Sequence, residues 1–191
     1  MKDSSVKVEY FKKAGKVNTD RVLDLVSKRA DDLGIDTVVV ASTRGDTGVK
    51  ATERLKGKNI IVVTHSAGFS DKVFQQLTEE NRKAIEKNGG KILTCQHAFG
   101  GIGRAVRKKF GTYMTEEVVA HSLRIFGEGM KVVCEIVLMA MDAGLITGEK
   151  DVIAIAGSSE GADTACLIRP ANVNRFFDLK VKEIICKPRL D

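Results

Sequence analysis

The chain has 191 residues, of which 43% are hydrophobic and 29% charged, so it is long enough for one domain with a full core, and its composition excludes a disordered chain. The formal net charge is +6, but outside residues 104–109 the basic side chains are mixed with carboxylates, and aromatic residues make up only 5%. Nucleic-acid-binding domains usually concentrate their positive charge and add stacking aromatics, so we expect no nucleic-acid partner.

Helical patterns and short apolar runs alternate along the chain. The first helix is predicted from the capping residues 18–20 to Gly34, and the first strand follows at residues 37–41. Further helices are predicted at residues 47–55, 78–87, 115–126 and 130–143, and further apolar strands at 59–64, 91–95 and 151–156. Residues 166–169 and 181–186 are predicted as late strands. The pattern predicts one α/β domain over residues 1–191, a three-layer α/β/α sandwich with a mostly parallel sheet and an antiparallel edge strand.

The sequence contains no pattern typical of a secreted, membrane-bound or disulfide-linked protein. Its first residues form no apolar signal segment, and the longest apolar stretch, residues 132–145, is interrupted by Glu135 and Asp142. We therefore expect a cytoplasmic protein with no membrane partner. The four cysteines lie far apart without a C-x-x-C pair, and we interpret them as reduced core thiols.

Each parallel strand is followed by a segment rich in glycine and hydroxyl side chains. These segments are residues 42–45, 65–69, 96–101 and 157–161. Because the carboxyl ends of parallel strands meet at one edge of the sheet, where open α/β sheets bind their ligands, we expect the four segments to form one binding site.

Two stretches of the sequence resemble a known family. The stretch "TVVVASTRGDTGVKATERLKGKNIIVVTH" resembles the start of the C-terminal, allosteric domain of pyruvate kinase, and "AMDAGLITGEKDVIAIAGSSEGADTACLIRP" resembles its close. The similarity runs over about residues 20–170 in the same order, and the whole chain resembles small stand-alone pyruvate-kinase-like α/β proteins. An extra segment, about residues 95–126, has no clear counterpart. Since pyruvate kinase does its chemistry in a barrel domain for which 191 residues leave no room, we expect no phosphoenolpyruvate chemistry.

The resemblance implies a phosphate site in the first loop, where pyruvate kinase holds a phosphate of a sugar bisphosphate. Carried over to this chain, the role falls on Ser42, Thr43, Arg44, Gly45, Thr47 and Gly48. Free backbone N–H groups at a helix start, several hydroxyls and an arginine also suit a phosphate on physical grounds. The carboxylate of Asp46 would repel an anion unless it faces solvent or caps the helix. A capped turn that binds nothing is the alternative.

Three further patterns carry less weight. Residues 157–161 fit G-x-S-x-G, but a hydrolase of that type needs a histidine after the serine, and the last histidine is His121. Residues 99–104 echo a dinucleotide fingerprint, but Val106 stands where glycine or alanine is required, so we expect only that Phe99 and the loop amides line one wall of the site. Glu135 is predicted to form a solvated i, i+4 pair with Lys131, with a role as a pocket acid as the alternative.

No metal site is predicted. Cys95, His65 and His97 come near one another at strand ends, but a metal would need further ligands, and a histidine that hydrogen-bonds a ligand or loop is the preferred interpretation.

A phosphate loop beside glycine-rich strand ends predicts a cleft for a phosphorylated, partly flat molecule, and flavin mononucleotide (FMN) is our first choice of cofactor, with a flavin-linked redox role. The alternative is a non-catalytic regulatory module that senses a sugar phosphate. Whether the chain is an enzyme, and whether it self-associates, stay open. The predicted binding residues are Ser42, Thr43, Arg44, Gly45, Thr47, Gly48, Thr64, His65, Ser66, Phe69, His97, Phe99, Gly100, Gly101, Gly157, Ser158 and Ser159.

Overall fold

A computed structural model describes residues 5–70 and 74–189 of the chain. Seven strands form one sheet in the order β1-β7-β6-β5-β2-β3-β4. The strands are β1 Glu9–Phe11, β2 Thr37–Ala41, β3 Asn59–Val63, β4 Lys91–Leu93, β5 Val152–Ala156, β6 Thr164–Arg169 and β7 Lys180–Pro188. The helices are α1 Thr19–Leu33, α2 Asp46–Arg54, α3 Glu79–Lys87, α4 Gly101–Phe110, α5 Thr115–Arg124 and α6 Glu128–Asp142, with short 3-10 turns at Lys16–Asn18 and Val173–Asp178.

The sheet is mostly parallel, as the sequence predicts. Strands β5, β2, β3 and β4 run in one direction, and β1 and β7 also pair in parallel. Strand β6 is antiparallel to both of its neighbours, β5 and β7, and therefore brings its amino end to the edge where the parallel strands end.

Helices cover both faces of the sheet and form the three expected layers. Helices α1, α2 and α3 pack on one face with Val38, Val40 and Ile153, whereas α5 and α6 pack on the other face with Val39 and Ala154. This division follows from the strand geometry, because successive side chains of a strand point to opposite faces. The central strands are therefore apolar on both sides.

The element boundaries follow recognisable local signals. Helix α1 buries Val22, Leu23 and Val26 on its apolar stripe and ends at Gly34, which adopts φ 64° in the left-handed region. Helix α3 begins after Thr78, whose hydroxyl accepts a hydrogen bond from the Asn81 N–H at 3.2 Å.

Two elements differ from the expectation. Strand β1 was not predicted, because three residues carry too little periodicity to be recognised. Helix α4 lies in a glycine-rich stretch for which the sequence pattern predicts no helix, and its Gly103 is buried against α5. Within the described residues, no helix is both long and apolar enough to cross a membrane.

The four cysteines are free thiols. Cys134, Cys166 and Cys186 are buried, whereas Cys95 is only partly buried. Burial raises the pKa of Cys134 and of Cys186 to about 12.

Candidate functional site

A cavity of about 1040 Å³ lies at the sheet edge where β2, β3 and β5 end. The amino-terminal ends of α1, α2 and α6 contribute lining residues, among them Thr19, Thr47 and Glu128. Helix amino termini carry unpaired N–H groups and the positive end of the helix dipole. Three such ends around one cavity favour a negatively charged ligand.

The turn from β2 into α2 forms one side of this cavity. The Ser42 hydroxyl accepts a hydrogen bond from the Gly48 N–H at 3.1 Å and so ties the end of the strand to the first turn of the helix. Among the described residues, none accepts a hydrogen bond from the backbone N–H groups of residues 44–47. These groups are therefore available to an anion.

The two glycines of this turn are required by packing. Gly45 has φ 105°, and a Cβ there would collide with Asn81 and Leu77 of the neighbouring segment. A Cβ on Gly48 would lie 2.8 Å from Val62 Cγ1, because α2 approaches β3 closely at this point. Neither glycine lines the cavity, so both shape the turn from behind.

Asp46 occupies an exposed position at the start of α2. Its Oδ1 accepts a hydrogen bond from Asn81 Nδ2 at 3.4 Å, and the same amide donates to the Arg44 carbonyl oxygen at 2.9 Å. Asp46 is thus exposed and held by Asn81, but it also adds a negative charge to the cavity lining.

The loop between β5 and β6 closes another side of the cavity and is held by a fully buried carboxylate. Asp163 is 0% exposed, and its Oδ2 accepts hydrogen bonds from the N–H groups of Gly15 at 2.8 Å and Ser158 at 3.0 Å. The Thr19 hydroxyl accepts a further hydrogen bond from the Ala162 N–H at 3.0 Å. These hydrogen bonds fix the shape of the loop. It leads into antiparallel β6 instead of a helix, which rules out a nucleophile elbow at residues 157–161.

Thr43, His65 and Gln76 form a hydrogen-bonded chain along the cavity wall. Thr43 Oγ1 lies 3.3 Å from His65 Nε2, and His65 Nδ1 lies 2.8 Å from Gln76 Oε1. Burial lowers the pKa of His65 below its ordinary value, and the hydrogen bond to Gln76 only partly offsets this effect. His65 is therefore neutral at pH 7.

An aromatic cluster follows the histidine. Phe69 stacks on His97 with a centroid distance of 4.8 Å, and the Arg104 guanidinium lies 4.7 Å from the Phe69 ring centroid. His97 Nε2 accepts a hydrogen bond from the Ser66 N–H at 3.3 Å, so Ser66 supports the ring from outside the cavity lining.

Lys131 and Glu135 form a buried ion pair inside the cavity, which corrects the expectation of a solvated pair. The Lys131 Nζ lies 2.5 Å from Glu135 Oε2, and the two side chains are 8% and 4% exposed. Glu135 Oε1 also accepts from the Phe99 N–H at 3.1 Å. Burial alone would raise the pKa of Glu135, but His97 and the Lys131 ammonium outweigh it and hold that pKa well below its usual range. Glu135 is therefore an ionised carboxylate on the cavity wall.

The cavity carries more positive than negative side chains. The cations are Lys16, Arg44, Lys50, Arg104, Arg124 and Lys131, and the carboxylates are Asp46, Glu128, Glu135 and Glu160. Lys131, Arg124 and Lys16 pair with cavity carboxylates, and Lys50 pairs with Asp20 outside. Within residues 5–70 and 74–189, no carboxylate lies within 4.0 Å of the Arg44 or Arg104 guanidinium. These two arginines leave positive charge for a ligand.

Most of the predicted binding residues line this cavity. They are Ser42, Thr43, Arg44, Thr47, Thr64, His65, Phe69, His97, Gly157, Ser158 and Ser159. The sequence pattern does not predict the lining residues Lys16, Thr19, Lys50, Gln76, Arg104, Arg124, Glu128 and Lys131. Apart from Arg124, which is the last residue of α5, they come from helix starts and loops distant in sequence. The rule that helices following strands begin at this edge could have indicated only those at helix starts.

The structure corrects the expectation that Phe99 and the amides of residues 99–104 line one wall of the site. Phe99 is 7% exposed and packs in the core, with Phe176 at a ring centroid distance of 5.9 Å, so its side chain does not line the cavity. Gly100 and Gly101 precede and begin α4 and are also outside the lining. Arg104, one turn further along, is the residue of this segment that reaches the cavity. Among the described residues, no group of three or more His, Cys, Asp or Glu side chains is arranged to hold a metal ion.

Comparison with known proteins identifies the family. Residues 20–168 match the family described as pyruvate kinase, alpha/beta domain. Among solved structures, a pyruvate kinase from Cryptosporidium parvum is similar at 14% identity and a TM-score of 0.42, covering 80% of this chain and 23% of that chain. A complex of Cryptosporidium parvum pyruvate kinase with ADP gives 15% identity and a TM-score of 0.42, covering 80% of this chain and 24% of the other.

An O-ureido-L-serine-bound variant of O-ureido-L-serine synthase is more distant in structure, with 22% identity and a TM-score of 0.31 over 73% of this chain and 50% of that chain. The chain spans about a quarter of the pyruvate kinase chains that it matches. Because the family match at residues 20–168 covers well over half of the 191 residues, the chain belongs to the family of the pyruvate kinase alpha/beta domain.

Proposed function

We propose that the chain binds FMN in the cavity at the strand ends, with the phosphate at the α2 turn, and that the bound flavin has a redox role. The observation that carries the proposal is the α2 turn itself. Its backbone N–H groups at residues 44–47 have no acceptor among the described residues, and Arg44 lines the same cavity without a carboxylate partner there. Oriented N–H groups, a helix dipole and a guanidinium together suit a phosphate.

The remainder of the cavity suits the rest of a mononucleotide. Cavities that hold small ligands usually measure about 300 to 1,000 Å³, and this one, with about 1040 Å³, is slightly larger than that range. Hydroxyl side chains of Thr19, Ser158 and Ser159 line it and suit a hydroxylated chain, while Phe69 and His97 offer aromatic faces. When bound, the flavin would supply the electron chemistry, and the protein would supply binding, orientation and charge.

The family supports a second candidate. The resemblance to the allosteric domain of pyruvate kinase implies a sugar phosphate at the corresponding loop, and in that case the chain is a regulatory module without chemistry of its own. Both candidates place a phosphate at the α2 turn and differ in the rest of the ligand.

A charge reversal at the turn tests the placement of the phosphate. Arg44→Glu is expected to weaken FMN binding by about 10- to 100-fold, because hydrogen bonds to charged groups contribute about 1.5–3 kcal/mol. Binding of riboflavin, which lacks the phosphate, should change little. Both affinities can be measured by quenching of flavin fluorescence. Arg175→Glu is the matched control, since Arg175 is exposed outside the cavity and the change in net charge is the same.

Two results would contradict the proposal. If Arg44→Glu weakened FMN and riboflavin binding equally, the phosphate would not bind at this turn. A colourless purified protein that does not bind added FMN, but whose Tm is raised by a sugar bisphosphate, would replace the flavin with the regulatory function.

A further inference from the structure

The hydrogen-bonded chain of Thr43, His65 and Gln76 defines where its protons lie. Gln76 Oε1 can only accept a hydrogen bond, so His65 Nδ1, at 2.8 Å from it, carries the ring proton. Neutral His65 therefore has its lone pair on Nε2. That atom lies 3.3 Å from Thr43 Oγ1, so the Thr43 hydroxyl donates a hydrogen bond to His65 Nε2.

This direction has a consequence for an anion at the α2 turn. A threonine hydroxyl can donate one hydrogen bond, and the Thr43 hydroxyl already donates to His65 Nε2. While this bond is made, the Thr43 oxygen can only accept a hydrogen bond, and a fully ionised phosphate has no hydrogen to donate to it. Thr43 can donate to the anion and still keep its hydrogen bond with His65 only when His65 is protonated on Nε2 and donates to the threonine oxygen instead.

We propose that His65 and Gln76 are positioning residues that couple the binding of an anionic group at Thr43 to the uptake of one proton, so that the site selects phosphorylated ligands more strongly as the pH falls. This inference rests on the proposed function only in placing the anion at the α2 turn, and it holds equally for a flavin phosphate or a sugar phosphate.

The groups around His65 set the range of this coupling. His97, from the segment after β4, and Arg104, from α4, oppose a positive charge on His65, whereas Glu135, from α6, favours one. Burial is the main cause that lowers the pKa of His65, so the His65 ring is neutral above pH 7 before an anion binds. Lys131 from α6 and Arg44 and Asp46 from the α2 turn share the cavity. A bound phosphate dianion adds negative charge beside the ring and raises the His65 pKa on binding.

Calorimetry with FMN tests the coupling directly. The full-length protein is titrated with FMN at pH 7.5 and 8.5 in HEPES and in Tris, whose different ionisation enthalpies report the number of protons taken up. The phosphate, whose second pKa is about 6, is then fully ionised. We expect uptake approaching one proton and an FMN affinity that falls by up to about tenfold per pH unit, as linkage requires. Riboflavin should show neither effect.

Two sets of variants separate positioning from a merely structural role. In Gln76→Leu the His65 tautomer is no longer fixed, so Nε2–H can donate to Thr43 without an added proton. Proton uptake should fall towards zero, and the affinity at pH 8.5 should approach that at pH 7.5. Thr43→Val should lose the coupling because it lacks the hydroxyl, whereas Thr43→Ser should retain it.

The outcomes distinguish this inference from the proposed function. FMN binding by the wild type without proton uptake overturns the coupling and leaves the flavin site standing. A parallel loss of affinity at both pH values in Gln76→Leu, with proton uptake unchanged, likewise overturns it. Failure of the wild type to bind FMN at either pH contradicts the proposed function, and the coupling is then decided by the same titration with a sugar bisphosphate.

Discussion

Two lysine–carboxylate pairs with the same spacing occupy opposite environments in this molecule. On α1, Lys28 and Asp32 pair at 2.7 Å with side chains 76% and 43% exposed. On α6, Lys131 and Glu135 pair at 2.5 Å with side chains 8% and 4% exposed. The spacing of lysine and carboxylate is the same, but α1 is amphipathic and exposes its pair to solvent, whereas α6 is apolar on most sides and places its pair in the cavity.

The contribution of such an ion pair to stability depends on its burial. An exposed i, i+4 pair stabilises a helix by only about 0.3–0.5 kcal/mol, since water screens both charges. A buried pair pays a large desolvation cost, and removal of one partner leaves the other charge uncompensated. The Lys131–Glu135 pair is therefore a weak source of net stability, but the loss of either partner is costly.

Removing one cation from each pair should give the largest contrast. Lys131→Met leaves the Glu135 carboxylate buried with His97 and the Phe99 N–H as its remaining neighbours, and we expect a loss of about 3 kcal/mol in the free energy of unfolding. Lys28→Met, the matched control on α1, should cost no more than about 0.5 kcal/mol. Urea unfolding measures both. Equal effects would mean that the cavity is hydrated enough to screen the α6 pair.

Replacing both members of the buried pair should recover much of that loss. In Lys131→Met combined with Glu135→Leu no buried charge remains, so we expect about 2 kcal/mol of the destabilisation to be regained. About 1 kcal/mol should persist, because the Phe99 N–H loses its acceptor. A double variant as unstable as Lys131→Met would show that the penalty comes from packing instead of charge.

A smaller effect is expected from acid. The pKa of Glu135 is lowered in the folded protein, so its contribution to stability is present above the unfolded pKa near 4.5 and is lost as the pH falls towards the folded value. Wild type should therefore lose about 1 kcal/mol more than Glu135→Gln between pH 6 and 3.5. Thermal unfolding across that range measures the difference. If the stability of wild type and Glu135→Gln fell in parallel over this pH range, Glu135 would not contribute to acid unfolding.

The alternation of elements made the fold predictable. Residues 37–41 and 59–64 are apolar on both faces and are bounded by capping residues and glycines, so β2 and β3 lie within one residue of their predicted limits. The rules for parallel sheets place the strand ends at one edge, and most of the binding residues predicted at those ends line the cavity.

The rest depended on contacts that periodicity does not encode. A helical pattern cannot indicate whether the face that carries Glu135 meets solvent or a cavity, so the ion pair was misjudged. Asp163 was missed because a single carboxylate in a loop carries no pattern, although it organises the loop through three hydrogen bonds to Gly15, Ser158 and Thr164. Phe99 was misplaced because an aromatic residue beside glycines is equally compatible with a pocket wall and with the core.

The unequal burial of the four thiols allows one of them to be labelled selectively. Burial raises the pKa of all four thiols, but Cys134, Cys166 and Cys186 are buried, whereas Cys95, two residues after β4, is only partly buried. Thiolates are the species that alkylating dyes attack, so a maleimide fluorophore should label Cys95 first. The native chain thus offers a reporter two residues from His97, with no cysteine to add or remove.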